Sequence, residues 1–461
     1  MDPRFLTLGE SLATLFTSAF ANARGERGSD AHPEVATNAS PDTNSEAGSD
    51  FYMDIYPDID SDDSESDNES DSSSVVYEHE SFATFQSRVL EFALKFWPDA
   101  AHADITVDRL LGGGYNRIIG ITRRSTKPHQ AGEPSSSAAT NVQCILRIPR
   151  LDSANVGNDV AALRFVHRYT TIPIPKVIQW DETDQNELGS AYQIQNRIPG
   201  TTLLSTYADL SHAQRCKLAH ELGTICADML AVKSSTAGRF VLPSEENCQK
   251  AQEPQVNIVS LCHHEDAESK PFSSSAATTP VLELLTSGLQ ENRDDLFTDR
   301  FMAMASELNE GGWLVNDHYS LAHLDFHPRN IHVSPTSDMQ LPIISGILDW
   351  DSAILAPKFV TCRPPLWLWA WTDDEDEDER TADDEPPTPE LRELKRLFEE
   401  AAGLEFEQFA YQPAFRLARQ LFHFALNGVH SNEEFKEATA MLQEWQSVRL
   451  QRGWVLLPES R

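Results

Sequence analysis

The sequence predicts an α+β chain, a strand-rich smaller half followed by a helix-rich larger half. Three observations carry this expectation. Short runs rich in β-branched residues recur between Ile105 and Asn196: Ile105-Thr-Val, Arg117-Ile-Ile-Gly-Ile-Thr, Val142-Gln-Cys-Ile-Leu-Arg-Ile, Lys176-Val-Ile-Gln-Trp and Tyr192-Gln-Ile-Gln-Asn. From Ser211 onward the apolar residues recur mostly at helical spacing, beginning with Ser211-His-Ala-Gln-Arg-Cys-Lys-Leu-Ala-His-Glu-Leu. Charge, finally, is unevenly spread. Of the net −35, the segment Glu26 to Glu80 holds −16 and the segment Asp373 to Glu390 holds −10, so the remainder is a moderately charged globular body.

The elements follow in order. Residues 1–23 place Phe5, Leu8, Leu12, Leu15, Phe16 and Phe20 at helical spacing, which predicts an amphipathic helix; Glu10 interrupts what would otherwise resemble a signal sequence. Residues 24–80 are acidic and almost free of apolar periodicity, and are expected to be disordered. The smaller half spans 81–200. It starts with a helix whose Phe82, Phe85, Val89, Phe92 and Phe96 share one face. A Ser/Ala/Pro/Gly stretch at 125–140 reads as a long hairpin loop, and 159–168 as a helix stopped before Pro173 and Pro175. The larger half spans 201–461, with a polar interruption at 244–278. Its acidic insertion, 373–390, is expected to be solvated and kept irregular by Pro386, Pro387 and Pro389; the other reading has it attract a cationic substrate. Trp367, Trp369 and Trp371 alternate with apolar residues and are expected in the core.

Composition also excludes. A chain this acidic lacks the basic surface that phosphate backbones require, so nucleic acid is not a partner. No run approaches the roughly 20 apolar residues of a membrane span. The six cysteines are thinly spread without a Cys-x-x-Cys pair, which suits a reducing, cytoplasmic setting. Cys262-His263-His264 resembles a metal-ligand cluster, but no second cluster accompanies it.

The chemistry sits in His323-Leu324-Asp325-Phe326-His327-Pro328-Arg329-Asn330, followed by Gly346-Ile-Leu-Asp349-Trp350-Asp351. An Asp, an Asn five residues on, and a second Asp after a strand hairpin suit phosphoryl transfer to a hydroxyl. The first Asp takes or orients the acceptor proton; the Asn and the second Asp offer oxygen ligands to Mg²⁺. His323 is expected to brace this loop, and Asp351 receives no metal role.

The segment resembles the aminoglycoside phosphotransferase and choline-kinase-like family from about Leu110 to the end, and its Pro-Arg-Asn-Ile ending is similar to fungal members. The resemblance implies a bilobal protein-kinase-like fold, with a small antiparallel-sheet N-lobe, a mostly helical C-lobe and ATP between them. It makes Asp325 the catalytic base, supported by Asn330, and makes Asn330 and Asp349 the magnesium ligands. Gly112, Gly113 and Gly114 lie where a loop would cover the nucleotide phosphates. Arg147 falls at the phosphate-contacting cation, Asp159 at the helix carboxylate that pairs with it, and Gln195-Asn196-Arg197 at the hinge that meets adenine. Three positions depart from the usual pattern: Arg147 for Lys, Asp159 for Glu, and Leu324 for a Gly. The implied activity is ATP-dependent phosphate transfer to a hydroxyl of a small molecule. The alternative is a catalytically silent nucleotide-binding scaffold whose acidic segments recruit basic partners. A protein kinase fits less well, since Asp-Phe-Gly and Ala-Pro-Glu are both missing.

Overall fold

The computed structural model describes residues 80–110, 115–124, 141–150, 155–243, 256–261, 269–274, 278–336, 338, 340–370 and 378–451. The expected helix at 1–23, the acidic segment 24–80 save its last residue, Gly112 to Gly114, the loop 125–140, Cys262 to His264 and Trp371 lie outside them.

Helix α1 (Phe82–Phe96) is capped by the Ser81 hydroxyl and buries Phe85, Val89 and Phe92. These meet the inner face of a five-stranded antiparallel sheet, ordered β1-β2-β3-β5-β4, formed by Ile105–Arg109, Asn116–Arg123, Val142–Pro149, Tyr192–Asn196 and Val177–Asp181. The register sets Ile119 opposite Leu146, and Leu146 opposite Ile194, so alternate residues point at the helix and form the small core. The paired ends of β2 and β3 bracket the expected loop at 125–140.

Helix α2 (Val156–Tyr169) follows β3 and departs from the division at residue 200. Its apolar face, with Ala161, Phe165 and Val166, is buried in the larger core, where the Phe165 ring lies 4.4 Å from that of Phe240. Periodicity reveals that a helix has an apolar face but not which core receives it.

The larger core is built mainly from helices: α3 (His212–Ala231), α4 (Val281–Glu291), α5 (Thr298–Glu310), α6 (Pro389–Ala402), α7 (Leu404–Ala410), α8 (Pro413–Asn427) and α9 (Asn432–Gln451). Ser211 starts α3 with a capping box to Gln214. Two small sheets complete this half. One is ordered β10-β13-β7-β8-β9 (Tyr319–Ala322, Ile354–Pro357, Gly238–Val241, Asn257–Ser260, Lys270–Pro271), the other β12-β11-β6 (Ile344–Ile347, Ile331–Val333, Thr201–Thr202). Trp367 and Trp369 are buried, as expected. The result is an α+β fold whose described residues form two cores. Among the described residues no helix is long and apolar enough to cross a membrane, and Cys144, Cys216, Cys226 and Cys362 are free thiols.

Two expectations need correction. The polar interruption 244–278 contains two short strands, β8, which pairs with Gly238–Val241 and buries Ile258 in the larger core, and β9, which pairs with β8. The described part of the acidic insertion is not merely a solvated irregular loop. Glu379–Thr381 form a 3-10 turn in which Glu379 pairs with Arg363 at 2.6 Å and Arg419 at 3.2 Å, and Pro389 opens α6 at the one helical position where its missing N–H costs nothing.

Candidate active site

Strand β10 ends at Ala322, and the next five residues turn sharply before the 3-10 turn Pro328–Asn330. Leu324 holds φ +62°, a left-handed conformation that costs a residue with a Cβ about 1–2 kcal/mol. The turn sends His323 inward and leaves the Asp325 side chain one-third exposed. One Asp325 oxygen accepts from Arg329 Nη2 at 2.7 Å and the other from Asn330 Nδ2 at 2.7 Å. Asn330 is buried and also donates to the Asp325 carbonyl at 3.0 Å. The carboxylate is thus held in one orientation with an open side to solvent.

His323 is buried between Trp350 and the loop. Its Nε2–H donates to the Leu348 carbonyl at 2.8 Å, and its Nδ1 accepts from the Asp325 amide at 3.3 Å. Burial pulls the imidazole below its ordinary pKa, so it stays neutral in this one tautomer. These two bonds fix the loop against the Leu348 turn. Leu348 in turn donates its amide to the Asn330 carbonyl at 2.8 Å. The main chain of one residue, Leu348, therefore ties the Asp325 loop, Asn330 and the start of the Asp349 turn together. Asp349 itself sits at φ +63°, with a half-exposed side chain.

Across from this hairpin, strand β3 carries Arg147. Its guanidinium is buried and donates to Asp349 at 3.1 Å and to Asp351. Asn116 of β2 also reaches Asp351, at 3.4 Å. No ion pair within 4 Å joins Arg147 to Asp159; the helix carboxylate is near enough to interact electrostatically only. Three carboxylates thus surround one guanidinium. Burial pushes Asp159 well above the carboxylate range, helped by the Asp351 charge, and pushes Asp351 up to about 6. The cluster is short of positive charge, and its oxygen donors suit a hard divalent cation.

The sheet face around Arg147 is polar. Arg147 pairs in register with Gln193, and Gln195 follows on the same face. Arg147 Nε, Gln193 Oε1 and Gln195 Oε1 are buried without a hydrogen-bond partner, which is what a face awaiting a polar ligand looks like. The Asn196 and Arg197 amides, by contrast, already donate to Lys176 and Gln143 carbonyls, and the Arg197 side chain is exposed. The chain then passes through Gly200, at φ +93°, where any Cβ would lie 2.1 Å from the Val333 carbonyl oxygen. Ser345 Oγ clamps the Pro199 carbonyl at 2.6 Å. The segment after the hinge is therefore pinned to the hairpin that separates Asn330 from Asp349.

Arg147 and Asp349 touch, Asp325 and Asn330 touch, and the Leu348 main chain links the two pairs. Gln195 lies beside them on the sheet face, and Gly112 to Gly114 lie outside the described residues. Sequence reasoning missed Arg329, Gln193 and the pairing of Asp351 with Arg147. Alternation along β5 was the available signal for Gln193; for Asp351 it was a second acid two residues beyond Asp349.

Comparison with known proteins bears on the same segment. Residues 137–358 match the model of the phosphotransferase enzyme family. The matched span contains Arg147, Asp325, Asn330 and Asp349. No curated protein matches the sequence significantly. Among solved structures, aminoglycoside phosphotransferase APH(4)-Ia is 15% identical, with 79% of this chain and 98% of that chain covered at a TM-score of 0.42. A thermostable mutant of it, in ternary complex with ADP and hygromycin B, is 15% identical, with 78% and 97% covered at 0.41. The GDP complex of aminoglycoside 2'-phosphotransferase-IIIa is 14% identical, with 77% and 96% covered at 0.41.

Proposed function

We propose that the protein is an ATP-dependent phosphotransferase that moves the γ-phosphate to a hydroxyl of a small molecule. The observation that carries this reading is the Leu348 tie, which holds the Asp325 loop, Asn330 and the start of the Asp349 turn as one unit. The family match across the same residues supports it. Asp325 accepts the acceptor proton, with Arg329 and Asn330 fixing the direction of its free lone pairs. Asn330 and Asp349 hold Mg²⁺, which neutralises charge on the transferring phosphate when bound. Arg147 faces the phosphates, and the Gly112 to Gly114 loop covers them. The Gln193 and Gln195 face receives the nucleotide, with the hinge at Arg197 along its edge. Asp159 lies near Arg147 on α2 without touching it. ATP as donor places the reaction in the cytoplasm, and the Pro-Arg-Asn-Ile ending keeps the resemblance to fungal members within this reading.

The test is calorimetric titration of ATP with and without Mg²⁺, on the wild type and Asp349→Ala. Magnesium-dependent binding that disappears in the variant is the expected result; equal binding in both removes Asp349 from the metal site. A second reading, a catalytically silent nucleotide-binding scaffold, is favoured by one observation, the Arg147 guanidinium already paired with Asp349. On that reading ATP binds equally with and without magnesium, and no acceptor is phosphorylated.

A further inference from the structure

His212 opens α3, and Cys216 follows one turn later on the same face of that helix. Glu393 reaches the pair from α6. Among the described residues this is the one group of three metal-ligand side chains whose donor atoms all lie within 4.8 Å of one another. His212 Nε2 lies 2.8 Å from a Glu393 oxygen and 3.4 Å from Cys216 Sγ. We propose that His212, Cys216 and Glu393 form a zinc site on the outer surface of the larger half, separate from the proposed phosphoryl-transfer site.

Geometry, charge and rigidity support it. Zinc bonds of about 2.0–2.3 Å at tetrahedral angles separate a nitrogen from a sulfur by about 3.5 Å and a nitrogen from an oxygen by about 3.4 Å. The nitrogen and sulfur already stand at the first spacing; the carboxylate must move out by about half an ångström, which a half-exposed Glu side chain does by rotation. A neutral imidazole, a thiolate and a carboxylate together balance a dication. On binding, zinc replaces the Cys216 thiol proton, which leaves to solvent; the imidazole gives up its hydrogen bond to Glu393 and carries its one hydrogen on Nδ1, freeing Nε2 to ligate, and water fills the fourth position. The ligand-bearing helices are closely packed against each other: a Cβ at Gly223 of α3 would lie 2.4 Å from the Phe398 carbonyl oxygen of α6. The ligands are thus presented on fixed backbones. The mixed nitrogen, sulfur and oxygen set favours zinc over magnesium or calcium, which take oxygen alone.

The experiment is titration of the untagged full-length protein with Co²⁺ under reducing conditions, followed by displacement with Zn²⁺. The expected result is thiolate-to-cobalt absorption with intense visible bands of a four-coordinate ion, both erased by zinc. Cys216→Ser should abolish the thiolate band, and His212→Ala and Glu393→Gln should weaken cobalt binding by about tenfold or more. Zinc should raise the thermal midpoint of the wild type and not that of Glu393→Gln. Absence of the bands at excess cobalt overturns the proposal. So do bands that survive Cys216→Ser, or that vanish in Cys262→Ser, which would assign them to Cys262-His263-His264. If Cys216→Ser does not fold, the half-exposed His212 and Glu393 variants decide the matter alone.

Discussion

Arg147 lies buried among three carboxylates, whereas Arg329 lies partly exposed beside one. The difference is one of completeness. Around Asp325 both oxygens are met, by Arg329 and Asn330, and the group needs nothing more to be oriented. Around Arg147 one guanidinium answers Asp349 and Asp351, Asp159 goes without an ion pair to it, and two acids are pushed above their ordinary range. On the proposed function the Arg147 side receives a cation with its nucleotide and is incomplete until both arrive. A site that must receive a proton from an acceptor is better built in advance. On that reading the two arginines mark these two requirements.

The comparison can be broken, and the largest effect comes first. Asp325→Asn should lower phosphate transfer by about 10²–10⁴-fold while ATP affinity stays within a few-fold, measured by turnover and by calorimetry; surviving turnover would show that the complete side is not the reacting side. Next, Arg147→Ala leaves buried carboxylates uncompensated and should cost about 3–5 kcal/mol in denaturant unfolding. Magnesium should recover more stability in this variant than in the wild type. Arg329→Ala, by contrast, removes a solvent-screened partner and should cost under about 1 kcal/mol, while slowing turnover because Asp325 loses its orientation. Equal destabilisation by the two arginine variants would refute the distinction. The smallest effect belongs to Leu324→Gly. Glycine adopts φ +62° without strain, so unfolding should become harder by about 1 kcal/mol or less, since glycine's looser unfolded chain offsets part of the gain. A loss of stability there would mean that the partly exposed Leu324 side chain makes contacts that outweigh its backbone strain.

Much of the fold was legible because it is written locally. The β-branched runs gave the strands of the first sheet, the helical spacing from Ser211 gave α3, and the Asp325, Asn330 and Asp349 spacing fell within 25 residues of sequence. What stayed hidden depends on distant chain. Arg147 meets Asp349 across 202 residues, so its partner could be expected from a family pattern but not read from spacing. The expected partner, Asp159, sits on a helix whose apolar face serves the larger core, and that face fixes where its carboxylate goes. Strands β8 and β9 escaped notice because both are short and lie in a polar stretch: β9 has two residues, and β8 buries Ile258 alone among its four. The acidic insertion misled for a related reason: a run of acids looks solvated until two arginines from elsewhere, Arg363 and Arg419, claim one of them.

The Leu348 peptide has a consequence for how such a protein tolerates change. Its carbonyl and its amide do the joining, and its side chain plays no part in either bond. Any replacement that keeps an ordinary backbone leaves the joint intact, so a survey of side-chain substitutions would record a permissive position at the centre of the machinery. Only proline, which has no amide hydrogen to give Asn330, would reveal it. Sequence variability here is therefore no measure of importance, and the parts of the cleft most easily overlooked are those held by the main chain.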